Sequence, residues 1–225
     1  MKKLLAILLA AAMLCAFASV GAAALAPEEE LQARGRVLLE ETLAVFDSNN
    51  YTLRCDRGIY VQEGKRFATE DRQWTGSSLL KWLLGNELEI ATPEQSLVAF
   101  RKWKCCFDST SLMRLTGKDP GQFFNEVSNY FGSAAMLDSL PVNVVEENAY
   151  LVVTLGDPSA DGGPVIRYYY LDGQLKRICG TPVPYSSYDV AVESLVPEAD
   201  LSLFSTKGLL KLPSFLMLLF SIFEL

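Results

Sequence analysis

The spacing of apolar residues changes near residue 47, and this change constrains the fold more than any other feature of the chain. Before it, one stripe recurs at helical intervals, made of Leu31, Leu38, Leu39, Thr42, Leu43 and Phe46. Pro27 suits the first turn of a helix, and the three glutamates after it complement the helix dipole. Turn-forming residues follow from Asp47 to Asn50. The sequence therefore predicts one long amphipathic helix from Pro27 to Asp47.

After this helix, apolar residues alternate with polar ones, as in strands with one buried face. Turns at Arg57-Gly58 and Gly64-Lys65 divide residues 51–71 into a three-strand meander. Asp172-Gly173 predicts a tight hairpin turn, and the spacing from Asp119 to Phe131 predicts a second, shorter helix. Residues 79–84 fit either a helical turn or a strand. Further strands are predicted over residues 87–91, 97–107, 142–145, 149–155, 165–171, 174–179 and 188–195.

These elements predict an α+β fold. About eight or nine mostly antiparallel strands would form a curved, half-barrel-like sheet packed on the long N-terminal helix. No internal repeat or linker divides residues 25–208, and a chain of this length is typical of one domain. We therefore expect a single α+β domain over residues 25–208.

Residues 1–24 predict export. Lys2 and Lys3 precede an uncharged apolar run from Leu4 to Val20, and a tail of small residues follows. This order is typical of a bacterial secretory signal peptide, and cleavage after Ala24 satisfies the A-x-A rule. A retained membrane helix is the alternative, but the apolar core is short and its exit consists of small residues. We expect an extracytoplasmic protein, secreted or in the cell envelope.

Charge excludes some partners. Removal of the signal peptide leaves 18 basic residues against 27 acidic ones, a net charge of −9. Such a chain repels nucleic acid and anionic lipid headgroups, so we expect neither as an electrostatic partner.

Four cysteines remain after cleavage: Cys55, Cys105, Cys106 and Cys179. Export permits disulfides, and adjacent residues of a strand point to opposite faces, so at most one of Cys105 and Cys106 should pair readily. The sequence allows one bridge, from Cys55 or Cys179 to one of the vicinal pair, or four buried thiols. With neither C-x-x-C spacing nor histidine, no metal site and no catalytic cysteine are predicted.

The chain contains no histidine, no Walker A loop and no G-x-G-x-x-G motif, and we predict no cofactor. Carboxylate pairs suffice for some hydrolases, and the candidates are Glu70-Asp71 and Glu146-Glu147. Neighbours in a strand diverge, so we interpret both pairs as solvated charge. The run Tyr168-Tyr169-Tyr170 is interpreted as packing on a half-buried strand rather than as a stacking platform.

Residues 209–225 form an apolar C-terminal tail. A helix from Ser214 to Leu225 would span about 18 Å, short of a bilayer core of about 30 Å. Because it would be apolar on all sides, it needs cover from the protein's own cavity, a partner or a membrane face. A read-through or frame-shifted end is the alternative explanation.

The order of elements resembles that of the LolA/LppX-like lipoprotein-carrier family. The resemblance lies in the helix Glu28–Phe46, the meander Tyr51–Asp71 with its Gly64-Lys65-Arg66 turn, and the hairpin from Tyr168 to Leu175. It covers much of the mature chain as a pattern of elements and carries over no individual binding residue. It implies an apolar ligand, such as an acyl chain, held inside a concave sheet, and no catalysis.

We therefore expect a non-enzymatic exported protein of the cell envelope that binds an apolar ligand, such as a lipid, or an envelope protein. Peripheral membrane contact is expected through the C-terminal tail. The alternative is a carboxylate-based hydrolase of cell-wall polysaccharide. Two carboxyl groups about 5–9 Å apart in one cleft would favour the hydrolase, and an apolar tunnel without charged groups would favour the binding protein.

The first prediction concerns processing. Terminal sequencing of the exported protein should find an unlipidated N-terminus at Leu25, because Ala22 and Ala24 suit the signal peptidase. A lipoprotein signal needs a small residue immediately before its cysteine, but Leu14 precedes Cys15, so lipidation is not expected. A diacylated Cys15 would contradict this expectation.

Overall fold

The computed structural model describes residues 27–71, 85–115, 117–159, 164–183 and 186–213. Over these residues the fold is α+β, as the sequence predicts. One long helix is followed by a mostly antiparallel sheet of 12 strands, which is curved and open. The predicted signal peptide, the segment 79–84 and the tail beyond Pro213 lie outside the described residues.

The helices are α1 (Pro27–Asp47), α2 (Thr110–Leu115) and α3 (Pro120–Ser128), with short 3-10 helices at Arg101–Trp103, Ala134–Asp138 and Leu201–Phe204. The first six strands are β1 (Asn50–Cys55), β2 (Gly58–Glu63), β3 (Arg66–Asp71), β4 (Glu87–Ala91), β5 (Ser96–Phe100) and β6 (Cys105–Asp108). The other six are β7 (Val142–Glu147), β8 (Tyr150–Leu155), β9 (Val165–Leu171), β10 (Gln174–Val183), β11 (Ser186–Val196) and β12 (Leu210–Leu212).

Two antiparallel meanders, β1–β6 and β7–β11, join into one sheet. They meet where β11 pairs with β1, and the strand order is β12-β6-β5-β4-β3-β2-β1-β11-β10-β9-β8-β7. β12 returns to the far edge and pairs with β6 in parallel. The chain therefore makes two long crossings: from β6 to the opposite edge at β7, and from β11, in the middle of the sheet, back to the β6 edge.

We call the face of the sheet that packs against α1 the inner face. The buried residues of α1 include Leu39, Leu43 and Phe46, which confirms the predicted stripe. They pack against strand residues from both meanders, among them Leu53 and Val153. Burial of these side chains is the main source of stability for a helix of this kind.

Two of the three consecutive tyrosines pack on this face, as predicted. Tyr168 is fully buried, and its hydroxyl donates to the carbonyl oxygen of Phe131 at 2.7 Å. The hydroxyl of Tyr170 donates to the carbonyl oxygen of Leu38 at 3.1 Å and lies 2.8 Å from the hydroxyl of Thr42. The hydroxyl groups of these two tyrosines thus each have the hydrogen-bond partner that burial of a polar group requires.

The outer face is also covered, over the first meander. Ile59, Val61, Leu88 and Ile90 form a second buried cluster there, closed by Leu203 from the 3-10 helix after β11. Two polar contacts anchor the crossing segment. Thr52 Oγ1 donates to the carbonyl oxygen of Glu198 at 2.7 Å, and Arg54 forms an ion pair with Asp200 at 2.8 Å. Alternation alone predicts one solvated face per strand, so the sequence did not indicate this cover.

The predicted single strand over residues 97–107 is wrong. The chain leaves β5 at Phe100, makes a 3-10 turn, and reverses at Lys104, which has a φ of 49°. β6 then pairs antiparallel with β5. The four residues of the tip, Arg101 to Lys104, are exposed, and three of them are basic. A continuous strand would have placed these charges within the sheet, where half of them would face the core.

The other predicted elements agree more closely with the structure. The residues Asp172 and Gly173 have φ values of 51° and 74°, which confirms the predicted tight turn. The structure contains more strands than the eight or nine predicted. Two of the additional strands arise because the span 97–107 is divided and because β12, at residues 210–212 of the predicted tail, joins the sheet. The short helix α2 was also not predicted.

Gly132 provides a test of the packing between the helical connection and the sheet. Its φ is 103°, and an added Cβ would lie 2.3 Å from the hydroxyl oxygen of Tyr168. Gly132→Ala should therefore lower the free energy of unfolding by roughly 2–4 kcal/mol, measured by urea denaturation.

Gly173→Ala is the matched control. Gly173 has a φ of 74°, but an added Cβ would meet nothing within 4 Å. It should cost roughly 1 kcal/mol from backbone strain alone. Equal losses of unfolding free energy in the two variants would contradict this prediction, because they would show that the segment around Gly132 moves to accommodate the added Cβ atom.

Candidate ligand pocket on the inner face

Three polar or aromatic residues lie in one row across the first meander. Tyr60 on β2 is the Cα partner of Thr69 on β3, and Thr69 is the Cα partner of Glu89 on β4. Because side chains alternate along strands, Phe67 and Glu87 lie on the same inner face, each two residues along its strand from the row. Strand register thus places these five side chains on one patch of the sheet.

Helix α3 covers this patch. Asp119 caps its N-terminus by accepting from the backbone N–H of Gln122 at 3.3 Å, and Pro120 occupies the first turn. Phe124 is buried against Phe67 and Ala91, which fixes the helix on β3 and β4.

Between helix and sheet lies a cavity of about 240 Å³. Its described lining residues are Tyr60, Phe67, Thr69, Glu87, Glu89, Val127 and Tyr130. The cavity opens to solvent at one side, so it is a pocket rather than a void in the core.

Neighbouring rings hold the aromatic walls in place. Phe131 is buried and packs edge-on against both tyrosines of the pocket, with its ring centroid 5.0 Å from that of Tyr60 and 5.2 Å from that of Tyr130. Tyr130 also lies against Tyr188 at 4.5 Å, and Tyr60 lies 6.4 Å from Phe67. Such contacts restrict ring motion, so the walls are organised before any ligand binds.

Glu89 is a pocket carboxyl group with a perturbed pKa. Burial raises the pKa of its carboxyl group, while the Ser96 hydroxyl, which donates at 3.4 Å, and the positive charge of Lys118 oppose that rise in pKa. Ser96 is itself fully buried and accepts from the hydroxyl of Ser109 at 2.8 Å. A carboxyl group held in this way beside aromatic rings is typical of a functional site.

Glu87 brings a second carboxyl group to the same pocket. It lies two residues before Glu89 on one strand, so their Cα atoms are about 6.7 Å apart. The pocket is therefore neither an apolar tunnel nor a purely acidic cleft. The sequence carries a signal for this pocket in the alternate glutamates of the strand 87–91, a spacing that places both carboxyl groups on one face.

Of the adjacent acidic pairs in the sequence, Glu70 and Glu146-Glu147 lie elsewhere, whereas the backbone of Asp71 pairs with that of Glu87. Glu70 accepts from Asn86 Nδ2 at 2.8 Å, and Glu146 and Glu147 are exposed on the edge strand β7. Neither Glu70 nor the β7 pair lines the pocket. Tyr169, the middle tyrosine of the run, lies on the outer face, with the guanidinium of Arg177 at 5.1 Å from its ring centroid.

All four described cysteines are free thiols, and the sheet keeps them apart. Cys55 lies on β1, Cys105 and Cys106 lie on β6, and five strand spacings separate them, about 24 Å along the sheet. Cys179 lies on β10, still farther from β6. A disulfide needs Cα atoms within about 7 Å, so this fold brings neither Cys55 nor Cys179 to the vicinal pair. Burial raises the pKa values of Cys55, Cys105 and Cys106.

Comparisons with known proteins give no family. No protein-family model matches the chain, and no curated protein matches it. In the described part of the chain, helices are too short or too polar to cross a bilayer. The same residues include no group of three or more acidic, cysteine or histidine side chains placed to hold a metal ion.

The raised pKa of Glu89 predicts a pH-dependent gain in stability when it is replaced by glutamine. Between the ordinary glutamate pKa of about 4.3 and the raised value, the folded protein keeps a proton that the unfolded chain has released. The free energy of unfolding therefore falls as pH rises through that range. Glu89→Gln cannot ionise and escapes this loss.

Urea denaturation of both proteins from about pH 4 to about pH 8 measures the effect. We expect the free energy of unfolding of Glu89→Gln to increase relative to that of the wild type as pH rises. The exposed Glu94, in the turn after β4, gives a control variant, Glu94→Gln, that removes one charge outside the pocket. A difference in unfolding free energy between Glu89→Gln and the wild type that does not change with pH would contradict the prediction.

Proposed function

We propose that this protein is a non-enzymatic extracytoplasmic binding protein of the cell envelope. Its ligand is a small, partly apolar molecule held between the inner face of the sheet and α3. The observation that carries the proposal is the convergence of three aromatic rings and Val127 with polar side chains in one cavity. Pockets with apolar walls and a few convergent polar groups are the usual form of small-molecule sites.

The size of the cavity bears on the ligand. At about 240 Å³ it is smaller than the roughly 300–1,000 Å³ of sites for drug-sized ligands. This volume favours a small molecule or a headgroup over a whole acyl chain.

Two further features support the location and the type of protein. The N-terminal segment has the pattern of a signal peptide. A long helix on a curved open sheet is also the arrangement that the LolA/LppX-like resemblance implies, and membership of that family is part of the proposal. A protein partner and membrane contact through the C-terminal tail are the other proposed interactions.

The second candidate function is a carboxylate-based hydrolase of cell-wall polysaccharide. The observation that favours it is the presence of Glu87 and Glu89 in the same pocket. Burial raises the pKa of Glu89, as a general acid requires, and Glu87 would act as the base or nucleophile. Release of sugar from peptidoglycan by the wild type, and its loss in both Glu87→Gln and Glu89→Gln, would favour this function.

The binding proposal is tested by filling the pocket. Val127→Trp places an indole in the cavity, whereas Val37→Trp makes the same change on α1, where the valine is 52% exposed. In a thermal-shift screen of small aromatic, aliphatic and amine compounds, we expect stabilising compounds for the wild type and for Val37→Trp. Val127→Trp should lose those responses. Compounds that stabilise all three proteins equally would contradict the location of the site.

A further inference from the structure

We propose that the pocket selects a small organic cation, with an alkylammonium group placed against Glu89 and the rings of Tyr60, Phe67 and Tyr130. This inference rests on the binding function proposed above and names the chemical class of the ligand. It follows from three properties of the pocket, which are its charge, its rings and its size.

The first property is charge. Among the described residues that line the pocket, two are acidic and none is basic. Ser96 Oγ, a neutral hydroxyl, donates to the carboxyl group of Glu89 at the long distance of 3.4 Å. Lys118 is exposed and acts on Glu89 from outside the described lining. A ligand cation at this place would offset the desolvation of the carboxylate, which a neutral ligand cannot do.

The second property is the set of aromatic rings. A cation is attracted to the face of an aromatic ring when it lies within about 6 Å of the ring centroid. The centroids of Tyr60 and Phe67 are 6.4 Å apart, so one cation can lie within that distance of both rings. Tyr130, which follows the end of α3, is the third aromatic residue that lines the pocket. Aromatic walls of this kind are the usual means of binding quaternary ammonium groups.

The third property distinguishes an organic cation from a metal ion. Calcium and magnesium need six or more oxygen ligands, and the described residues provide no cluster of three metal-binding side chains. Two carboxyl groups beside three rings suit a large, weakly hydrated cation instead. The volume of about 240 Å³ accommodates a trimethylammonium group with a short chain.

The experiment compares two ligands of the same shape and different charge. Choline and its uncharged carbon isostere, 3,3-dimethylbutan-1-ol, are titrated into the mature full-length chain and followed by proton NMR. We expect choline to bind at least about tenfold more tightly, a difference of about 1.4 kcal/mol. Its methyl resonances should move upfield, because they would lie over aromatic rings. This comparison uses the wild type and does not depend on the folding of any variant.

The carboxyl group is then tested directly. Glu89→Gln should lose the preference for choline while keeping its affinity for the isostere, and the exposed Glu94→Gln should keep both. The affinity of the wild type for choline should fall as pH is lowered, since protonation of Glu89 removes the counter-charge. Among the described residues, the charged and titratable groups that share the pocket with Glu89 or act on it are Glu87 on its own strand, Lys118 before α3, and the hydroxyls of Tyr60 and Tyr130.

The outcomes separate the two proposals. Equal binding of choline and the isostere, with loss of both in Val127→Trp, would overturn the cation proposal and leave the pocket as a ligand site. Failure of the wild type to bind choline would also overturn it. Unchanged selectivity in Glu89→Gln would show that this carboxyl group does not recognise the cation. If the pocket is not the binding site, a separate result will show it: compounds that stabilise the wild type in the thermal-shift screen will also stabilise Val127→Trp.

Discussion

The backbone pairing between β1 and β11 joins the two halves of this molecule. It aligns Leu53 with Leu195, residues far apart in the chain. Bringing them together costs loop-closure entropy, which the burial of side chains must offset. α1 supplies that burial, because its stripe contacts core residues from both meanders. The register shifts between Arg54 and Cys55, and again in the β9–β10 and β10–β11 pairs. Bulges of this kind increase local twist, which is consistent with a curved sheet.

The pocket is a consequence of this arrangement. α1 covers the inner face near the junction and over the second meander, whereas Phe67 of β3 and Ala91 of β4 are buried against Phe124 of α3. The chain that leaves β6 must return across the inner face to begin β7, and α3 covers β3 and β4 on that path. Its apolar anchor is Phe124, while Val127 and Tyr130 stand over a row of the sheet that contains Glu89. A helix laid across polar strand positions leaves space, and that space is the proposed site.

Binding and hydrolysis make different demands on the same two glutamates. A hydrolase needs one carboxyl group protonated and another ionised at a defined separation across a sugar ring. Cation binding needs a carboxylate beside ring faces. Glu87 and Glu89 lie on one strand and one face, so both project from the same wall of the pocket, with the rings of Tyr60 and Tyr130 beside them. Carboxyl groups on a single wall, rather than flanking a cleft, favour the binding function.

The sequence by itself determined the elements whose pattern is local. The stripe from Leu31 to Phe46 predicts α1, the alternation after Tyr51 predicts β1 to β3, and Asp172-Gly173 predicts the turn between β9 and β10, because each depends on neighbours within a few residues. The predicted strand over 97–107 was wrong because apolar residues lie on both sides of Arg101 and Lys102 in the sequence, while the energy of burying those charges depends on the rest of the sheet.

Only the tertiary structure decided which residues meet. The alternate glutamates 87 and 89 have the pattern of an ordinary half-exposed strand, and nothing local indicates that Tyr130, from a helix end some forty residues later, would lie over them. The outer cover by Leu203 and the separation of the cysteines likewise follow from strand order. Strand order is set by the total burial of a complete sheet, which is a sum over distant contacts, so local periodicity predicts the elements but not the site between them.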